Sequence, residues 1–333
     1  MYWLQSYSIK ITNRYSPGLL TSISLRIQTI QQTNLTKRNT LIGISLATIT
    51  TIIWSGNFVI AKDVFAKIPP VSLAFFRWSI ATIVIFPFAH KTFITDWKVI
   101  KKHFHYFLWV ALTGVSLFNT LVYVGAAYTS AINLVLIGTT TSPVFSVILA
   151  RIFLKEKIGL PKIIGMIICT AGVLYLLSKG NINNLLHLEF SEGDLWALAA
   201  AFAFSFYNIL VKKKPATIST TSFLFTSFVT GTVLLIPFFI HELMYLPPVQ
   251  WNGKLVFDIL YLGIGASVIC FFLWNLAINR LGAGRTALFG NLIPIFSSIE
   301  AVLILHEEFT INHVISMALV FSGLVIANIR YKA

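Results

Sequence analysis

Residues 139–157 read TTTSPVFSVILARIFLKEK, and residues 290–308 read GNLIPIFSSIEAVLILHEE, a similar pattern displaced by 151 positions. The displacement keeps six landmarks in register: Pro143 with Pro294, Phe145 with Phe296, Ser146 with Ser297, Ala150 with Ala301, Leu154 with Leu305 and Glu156 with Glu307. Chance rarely preserves so many landmarks over so long a span. Two membrane-length copies of one pattern are typical of transporters whose site lies between the copies.

The repeat extends towards the N-terminus at an offset of 150 positions. The aligned pairs there are Ser72 with Ser222, Phe75 with Phe225, Thr82 with Thr232, Pro87 with Pro237, Phe88 with Phe238, Gly43 with Gly193, Ser55 with Ser205 and Lys62 with Lys212. We therefore expect a polar, basic N-terminal tail over residues 1–40. A first five-helix repeat should occupy residues 41–180 and a second should occupy residues 181–333.

The composition is that of a polytopic membrane protein, with 56% hydrophobic and only 11% charged residues. Soluble domains carry about 25% charged residues. Apolar runs long enough to cross a bilayer predict ten transmembrane helices, near residues 41–61, 70–88, 107–127, 131–152, 160–178, 193–211, 219–239, 257–277, 283–305 and 311–329. The predicted fold is therefore an all-α integral membrane protein.

Positive charges concentrate in alternate loops and in both terminal segments. They include Arg14, Arg26, Lys37, Arg38, Lys91, Lys98, Lys101, Lys102, Arg151, Lys155, Lys157, Lys162, Lys212, Lys213, Lys214, Arg280, Arg285, Arg330 and Lys332. The positive-inside rule then places both termini in the cytoplasm. Because each repeat has an odd number of helices, the second repeat must be inverted relative to the first. The run Lys212–Lys214 can also be interpreted as a patch for anionic lipid or nucleic acid, but topology already requires positive charge there.

The first forty residues contain no Asp or Glu and are rich in Ser, Thr, Gln and Asn. This composition weakly resembles that of an organellar transit peptide. A cytoplasmic tail or an upstream start codon is the favoured alternative, because Pro17 and Gly18 interrupt an early amphipathic helix.

The chain offers little catalytic chemistry, so we expect no enzyme, no cofactor and no metal site. The seven histidines fall in loops or at helix edges, and His103 and His105 have no Cys or carboxylate partners at metal-ligand spacing. No phosphate-binding Gly-rich loop and no GxSxG motif are present. Cys169 and Cys270 lie far apart in apolar spans and are interpreted as packing residues.

Arg77 places a full positive charge inside the second predicted span. Placing arginine at the centre of a membrane helix costs about 2.5–3.5 kcal/mol on insertion scales, so a partner or an anionic substrate is expected. The alternative is that Arg77 satisfies backbone carbonyls or reaches outward to water. Its counterpart in the second copy is Ser227, so the two halves cannot be chemically equivalent at the site.

Glu300 is the acidic residue placed most clearly within an apolar span, and its counterpart is Leu149. Hydrocarbon disfavours the charged carboxylate, which makes Glu300 the candidate proton-coupling group. The alternative is a structural tie to Arg77 or to a backbone group. Without a proton carrier at this position, facilitated diffusion becomes the default mechanism.

Uncharged polar and aromatic residues within the spans are candidates to line a substrate cavity. The predicted substrate-binding set, together with Arg77, is Trp54, Asn57, Trp78, Asn119, Tyr123, Thr140, Tyr207, Asn208, Trp274, Asn275 and Asn291. For any single member, interhelical hydrogen bonding is the competing interpretation. Pro143 and Pro294 each remove a backbone bond at mid-membrane and are predicted to be gating kinks.

Together these features resemble the EamA family of the drug/metabolite transporter superfamily over about residues 41–329. The landmarks are Trp54-Ser55-Gly56-Asn57-Phe58, Phe76-Arg77-Trp78, Ser142-Pro143-Val144-Phe145 with Leu154-Lys155-Glu156-Lys157, and Ile293-Pro294-Ile295-Phe296 with His306-Glu307-Glu308. The resemblance implies ten helices in two inverted repeats, a bacterial inner-membrane location, and export or exchange of small metabolites such as amino acids. Relatives in the wider superfamily carry nucleotide sugars, sugar phosphates, purines or adenosylmethionine.

The sequence therefore predicts a secondary transporter that exports an amino acid or related metabolite by alternating access in the plasma membrane. Its expected partners are the small-molecule substrate, the lipid bilayer and protons at Glu300, and no nucleic acid. An exchanger of nucleotide sugars, sugar phosphates or adenosylmethionine is the alternative. A polyanionic cargo would normally need several cavity cations. A passive channel is a more distant alternative, because it would need a continuous polar pore.

Overall fold

A computed structural model describes residues 37–57, 64, 67–129, 131–181, 183–186, 191–305 and 309–328. These residues form helices joined by turns, and they contain no strand. The main helices are α1 (Lys37–Asn57), α2 (Pro70–Lys102), α3 (Phe104–Tyr128), α4 (Ala131–Leu154), α5 (Leu160–Leu177), α6 (Glu192–Lys212), α7 (Thr220–Tyr245), α8 (Gly253–Leu281), α9 (283–305) and α10 (Ile311–Asn328). Most of the predicted tail, residues 1–36, lies outside the described residues, as do the repeat positions Lys62 and Glu307.

Nine of the described helices are long and apolar enough to cross a membrane. The helix that falls short is α9, which is divided into Ala283–Leu288, a 3-10 turn at Phe289–Asn291, and Leu292–Leu305. Pro294 has no N–H to donate to the carbonyl of Gly290 four residues earlier, so regular α-helical bonding is interrupted there. The equivalent Pro143 lies inside the continuous helix α4. The described part of the chain is all-helical, and its nine long apolar helices indicate a multi-pass membrane protein.

Helix α2 is longer than the predicted span of residues 70–88. It runs for 33 residues to Lys102 and contains Pro87 in its interior. At 1.5 Å per residue it is about 50 Å long, which exceeds the roughly 30 Å hydrocarbon core. The apolar run therefore marks where the helix leaves lipid rather than where it ends, and the lysine-rich continuation extends the helix beyond the membrane.

Helices α3 and α8 each contain a π-helical segment that the sequence analysis did not predict. The segments are Leu112–Leu117 and Tyr261–Ile269. Shifting the first by 150 positions places it on residues 262–267, inside the second. A π-helical turn widens the backbone spiral, and such turns occur frequently at functional sites.

Helices α2 and α7 pack against each other in opposite directions. At one end, Glu242 of α7 accepts hydrogen bonds from the first N–H groups of α2, at 3.0 Å from Val71 N and 2.6 Å from Ser72 N. At the other end, Asp96 of α2 accepts from Ser219 N, the N-cap residue of α7, at 3.1 Å. A carboxylate from each helix therefore lies at the N-terminus of the other, where unpaired N–H groups and the helix dipole favour negative charge.

Helices α5 and α10 also pack in opposite directions, at a seam of small residues. Cys169 Sγ donates to the Val320 carbonyl oxygen at 3.4 Å, and Ser316 Oγ donates to the Gly172 carbonyl oxygen at 2.7 Å. A Cβ atom at Gly323 would lie 2.7 Å from Cys169 Sγ, so glycine is what allows this approach. Small residues permit such close backbone packing between membrane helices.

Several basic residues lie at one end of the bundle, which is called the basic end: Lys102, Arg151, Lys212–Lys214 and Arg280. Lys212 Nζ donates to the Asn279 carbonyl oxygen at 3.1 Å, and Lys213 Nζ lies 5.4 Å from the centroid of the Phe153 ring. Two members of the lysine run thus tie the end of α6 to α8 and α4.

Candidate functional site

A cavity of about 100 Å³ lies among seven helices. One water molecule needs about 10–15 Å³ of such space, so the cavity has room for several waters or a small metabolite. Its walls come from Trp54 and Asn57 (α1), Arg77 (α2), Phe118, Asn119 and Val122 (α3), Leu134, Gly138, Thr139, Ser142 and Pro143 (α4), Phe204 (α6), Phe271 and Trp274 (α8), and Ala287, Gly290 and Ile293 (α9).

The cavity lies away from the basic end. Trp54 and Asn57 belong to the last turn of α1, and Leu134 belongs to the first turn of α4, at the opposite end of the bundle. Trp274 of α8 and Ala287 of α9 line the part nearest the basic end. The lining therefore runs from the end of the bundle opposite the basic end towards its middle.

Arg77 reaches the cavity wall with only 2% of its surface exposed. Its Nε donates to Ser267 Oγ at 2.7 Å, one terminal nitrogen donates to Tyr123 OH at 2.8 Å, and the other donates to the Ala266 carbonyl oxygen at 3.2 Å. A guanidinium has five N–H donors in a rigid fork, so these contacts fix its position without using all of its donors.

All three acceptors of Arg77 are uncharged. Among the described residues, no carboxylate lies within ion-pair distance of its guanidinium. Burying an arginine without a counter-charge is costly unless an anion can approach it. The wall of the cavity thus presents a positive charge that a ligand carboxylate can neutralise.

Aromatic rings form much of the remaining wall. The Trp54 and Trp274 ring centroids lie 4.9 Å apart, and Phe118 stacks on Phe204 at 4.4 Å. Trp54 Nε1 donates to the Ala266 carbonyl oxygen at 2.9 Å, the acceptor that Arg77 also uses. Because Ala266 belongs to the π-helical segment of α8, that distortion positions both a cavity tryptophan and the cavity arginine.

The amide of Asn119 adds a second polar group to the wall. The residue is 4% exposed, and its Nδ2 has no hydrogen-bond partner among the described residues. A buried N–H group without a partner is unfavourable, so this donor is suited to a ligand oxygen or a bound water. Together, Arg77 and Asn119 favour a ligand group that accepts hydrogen bonds.

Five members of the predicted substrate-binding set line the cavity: Trp54, Asn57, Arg77, Asn119 and Trp274. Pro143 lines it as well, opposite the divided helix α9. The remaining seven members lie outside the lining: Trp78, Tyr123, Thr140, Tyr207, Asn208, Asn275 and Asn291. Spacing along a helix predicts a face, whereas the choice between cavity and neighbouring helix depends on how the helices cross.

The buried residues behind the wall tie helices together. Asn275 Nδ2 donates to Tyr207 OH at 2.8 Å, and Trp274 Nε1 donates to Asn208 Oδ1 at 2.9 Å. Trp78 packs between aromatic rings, with centroids 5.0 Å from Phe228 and 5.1 Å from Phe271. Tyr123 OH accepts a hydrogen bond from Arg77, and Thr140 is buried and has an interaction partner. Asn291 Nδ2 donates within its own helix, to the Leu288 carbonyl oxygen at 3.0 Å. The contacts of Tyr123, Tyr207, Asn208 and Asn275 match the alternative of interhelical hydrogen bonding.

Glu300 lies beside α1 and outside the cavity lining. Its Oε1 accepts from Ser55 Oγ at 2.7 Å, and its Oε2 has no hydrogen-bond partner among the described residues. The structure therefore pairs Glu300 with Ser55 rather than with Arg77. This contact joins α9 to α1, and both helices also contribute to the cavity.

Several wall residues were not predicted from the sequence to bind substrate: Phe118, Val122, Leu134, Gly138, Phe204, Phe271, Ala287, Gly290 and Ile293. Neither were Ala266 and Ser267, which accept hydrogen bonds from Arg77. Helical spacing contains a signal for some of them, since Leu134, Gly138 and Ser142 are separated by four residues and share one face of α4. The aromatic residues carry no such signal, because they resemble ordinary packing residues.

The comparisons with known proteins agree with this architecture. The family model described as "EamA-like transporter family" matches residues 41–178 and again residues 191–329. An "uncharacterized transporter YyaM" of Bacillus subtilis is 28% identical over 296 residues, covering 86% of this chain and 92% of that protein. An uncharacterized transporter of Archaeoglobus fulgidus is 27% identical, covering 79% of this chain and 89% of that protein.

Two further similarities concern a named substrate and a solved fold. A protein of Rickettsia conorii named "S-adenosylmethionine uptake transporter" is 27% identical over 259 residues, covering 76% of this chain and 81% of that protein. A protein of known crystal structure superimposes with a TM-score of 0.71 at 18% identity, covering 88% of this chain and 96% of that chain. At that identity, the structural likeness concerns the fold alone.

Proposed function

Because the chain belongs to the EamA-like transporter family of the drug/metabolite transporter superfamily, we propose that it is a secondary transporter working by alternating access. Members of this family are transporters, so the prediction that the chain is not an enzyme is confirmed. The observation that carries the proposal is Arg77, a buried charge at the wall of an aromatic cavity with no described carboxylate beside it.

We also propose ten membrane spans in two inverted repeats, with both termini in the cytoplasm and the protein in the inner (plasma) membrane. The two successive matches of the family model support a duplication. The packing of equivalent helices supports the inversion. Thr82 Oγ1 lies 3.4 Å from its repeat equivalent, Thr232 Oγ1, where the antiparallel helices α2 and α7 cross. Cys169 likewise contacts its equivalent, Val320, where α5 and α10 cross.

Such self-matched crossings of antiparallel helices are expected around a two-fold axis in the membrane plane. A parallel duplication would bring equivalent helices together in the same direction instead. An inverted repeat gives each conformation a counterpart that opens to the other side of the membrane. The two repeats can bend at the 3-10 turn of α9, which precedes Pro294, and at Pro143 of α4. Bending at these places would convert one conformation into the other.

The proposed cargo is an amino acid or a closely related metabolite, moved outward. Arg77 can neutralise one carboxylate, and Asn119 Nδ2 can donate to the same group. The faces of Trp54 and Trp274 can attract an ammonium group through cation–π interaction while covering its apolar side chain. Of the described residues on the cavity wall, only Arg77 is a Lys or Arg, which disfavours nucleotide sugars and sugar phosphates.

Adenosylmethionine is a second candidate, favoured by the name of the Rickettsia conorii relative. It carries the same α-carboxylate and ammonium groups, and its purine ring and sulfonium would both suit aromatic walls. Export and uptake of one cargo would use the same cavity.

Ligand-dependent thermal stabilisation of the detergent-purified protein tests the proposed cargo. Binding to the folded state raises its stability by mass action, so the panel should contain amino acids, adenosylmethionine, nucleosides, nucleotide sugars and sugar phosphates. We expect stabilisation by amino acids or their relatives. Stabilisation by phosphorylated compounds alone would replace the proposed cargo with a sugar phosphate or nucleotide sugar.

Proton coupling through Glu300 is a further part of the proposal. Its carboxylate bridges from α9 to Ser55 of α1, so gain or loss of a proton there changes a contact between two cavity-forming helices. We expect Glu300→Gln to abolish the dependence of flux on an imposed pH gradient, because glutamine cannot exchange a proton. Flux in proteoliposomes measures this, with Glu192→Gln as the control because Glu192 is exposed at the start of α6. A pH-driven flux retained in Glu300→Gln would place coupling elsewhere.

A further inference from the structure

Most glycines among the described residues lie at crowded positions, where an added Cβ atom would collide with a neighbour. A Cβ atom at Gly165 would lie 2.6 Å from Ala327 Cβ, and one at Gly172 would lie 2.9 Å from Leu319 Cβ. Two other glycines, Gly180 and Gly282, have positive φ angles of 75° and 90°. Close packing and left-handed backbone are the usual reasons for glycine in a membrane bundle.

Neither close packing nor a left-handed backbone explains the glycine at position 138. It lies inside helix α4, and its φ is outside the left-handed region. A Cβ atom built there has no heavy atom of the described residues within 4 Å. Alanine would fit without collision and would favour the helix more, so glycine at this position lowers helix stability without any gain in packing.

The space in front of Gly138 belongs to the cavity. Gly138 lines the cavity together with Leu134 and Ser142, one turn before and one turn after it on the same face of α4. Gly290 also lines the cavity and lies in the 3-10 turn of α9, a helix that packs against α4. Among the described residues, an added Cβ at Gly290 would meet only Pro143 Cγ, at 4.0 Å. Two open glycines on neighbouring helices therefore enlarge the same space.

We propose that Gly138, assisted by Gly290, sets the upper size limit of the cargo. This inference rests on the proposed function, since it assigns the open space to the side chain of the transported amino acid. A side chain at position 138 would occupy room that the cargo needs, and it would exclude large amino acids before small ones. Gly138 thus acts on specificity through the volume it leaves empty.

Substitution of Gly138 by alanine and by leucine tests the inference by counterflow in proteoliposomes with glycine, alanine, leucine, phenylalanine and tryptophan. Excluding one methylene-sized group from a fitted pocket changes discrimination about 10-fold or more. We therefore expect Gly138→Ala to lower flux of the largest transported amino acid about 10-fold relative to the smallest. In Gly138→Leu the size limit should move further towards small cargo.

Gly253 provides the matched control. Among the described residues, an added Cβ there also has no neighbour within 4 Å, but Gly253 is exposed at the start of α8 and does not line the cavity. Gly253→Ala and Gly253→Leu should keep the wild-type size limit. Wild-type flux with an unchanged size limit in Gly138→Leu would overturn this inference alone. Absence of amino acid flux in the wild type would overturn the proposed cargo as well, so the two failures can be distinguished.

Thiol labelling gives a readout that does not depend on transport. Both native cysteines, Cys169 and Cys270, are buried, so labelling of the wild type by a charged, water-soluble methanethiosulfonate should be low. Gly138→Cys should react readily, and a bound amino acid should slow the reaction. A Gly138→Cys protein that is folded but unreactive would contradict the assignment of this space to an open cavity.

Discussion

Arg77→Ala lowers the affinity for a carboxylate ligand by about 30-fold or more, which corresponds to the lower end of the 2–5 kcal/mol lost when one member of a buried charge pair is removed. The physical reason is that Arg77 is 2% exposed and supplies the cavity's positive charge, so alanine leaves a bound carboxylate in an apolar site without a counter-charge. Titration of ligand-dependent thermal stabilisation, followed by flux in proteoliposomes, measures the loss.

Two further variants separate charge from position. Lys213→Ala also removes one positive charge, but Lys213 lies at the basic end against Phe153, so binding should stay near the wild-type value. Arg77→Lys keeps the charge but cannot reach Ser267, Tyr123 and Ala266 together as the guanidinium does, so its affinity should be intermediate. Equal binding by Arg77→Ala and Lys213→Ala, at matched amounts of folded protein, would remove Arg77 from the site.

Gly323→Leu destabilises the folded protein by about 3 kcal/mol or more, at the upper end of the cost of overpacking a core. A Cβ atom at position 323 would lie 2.7 Å from Cys169 Sγ and from the Gly165 carbonyl oxygen, and 2.8 Å from Cys169 N. Two of these atoms belong to the backbone of α5, which cannot move without separating α5 from α10. The apparent unfolding temperature in detergent, recorded at one heating rate, measures the effect.

Gly138→Leu is the control for this substitution, because it introduces the same side chain where the cavity leaves room for it. We expect Gly138→Leu to unfold near the wild-type temperature and Gly323→Leu to unfold well below it. If both variants unfolded at the same temperature, the close seam between α5 and α10 would not be required for stability.

Much of the helical architecture could be predicted from the sequence, because lipid imposes a simple requirement on each span. An apolar run of about 20 residues must satisfy its own backbone, so it must be helical. The same argument could not give the true length of α2, since the lysine-rich part continues the helix in water. Nor could it give the π-helical segments of α3 and α8, which depend on contacts between helices.

The site was predictable where a residue was chemically unusual for a membrane. Arg77 stands out in an apolar span, and the structure places it at the cavity wall. Trp54, Asn57 and Asn119 were also identifiable as polar or amphipathic residues. Polar character alone could not separate them from Tyr207 or other buried residues, because both groups avoid lipid for the same reason.

Gly138 and Phe271 show the opposite difficulty. Neither carries a polar group. The spacing of Gly138 from Leu134 and Ser142 predicts a shared face of α4, but it does not predict that this face borders a cavity. Their importance depends on empty space, and empty space is a property of several helices at once. Residue spacing in one helix cannot report it.

Counterflow in proteoliposomes tests most directly the claim that this protein carries an amino acid or a related metabolite through the Arg77 cavity by alternating access. The vesicles are loaded with an unlabelled amino acid and diluted into the same labelled compound. We predict transient accumulation of label that requires both the protein and the internal amino acid, and that is lost in Arg77→Ala. Label entry that does not depend on internal substrate would indicate a passive channel, and equal accumulation by wild type and Arg77→Ala would contradict the account.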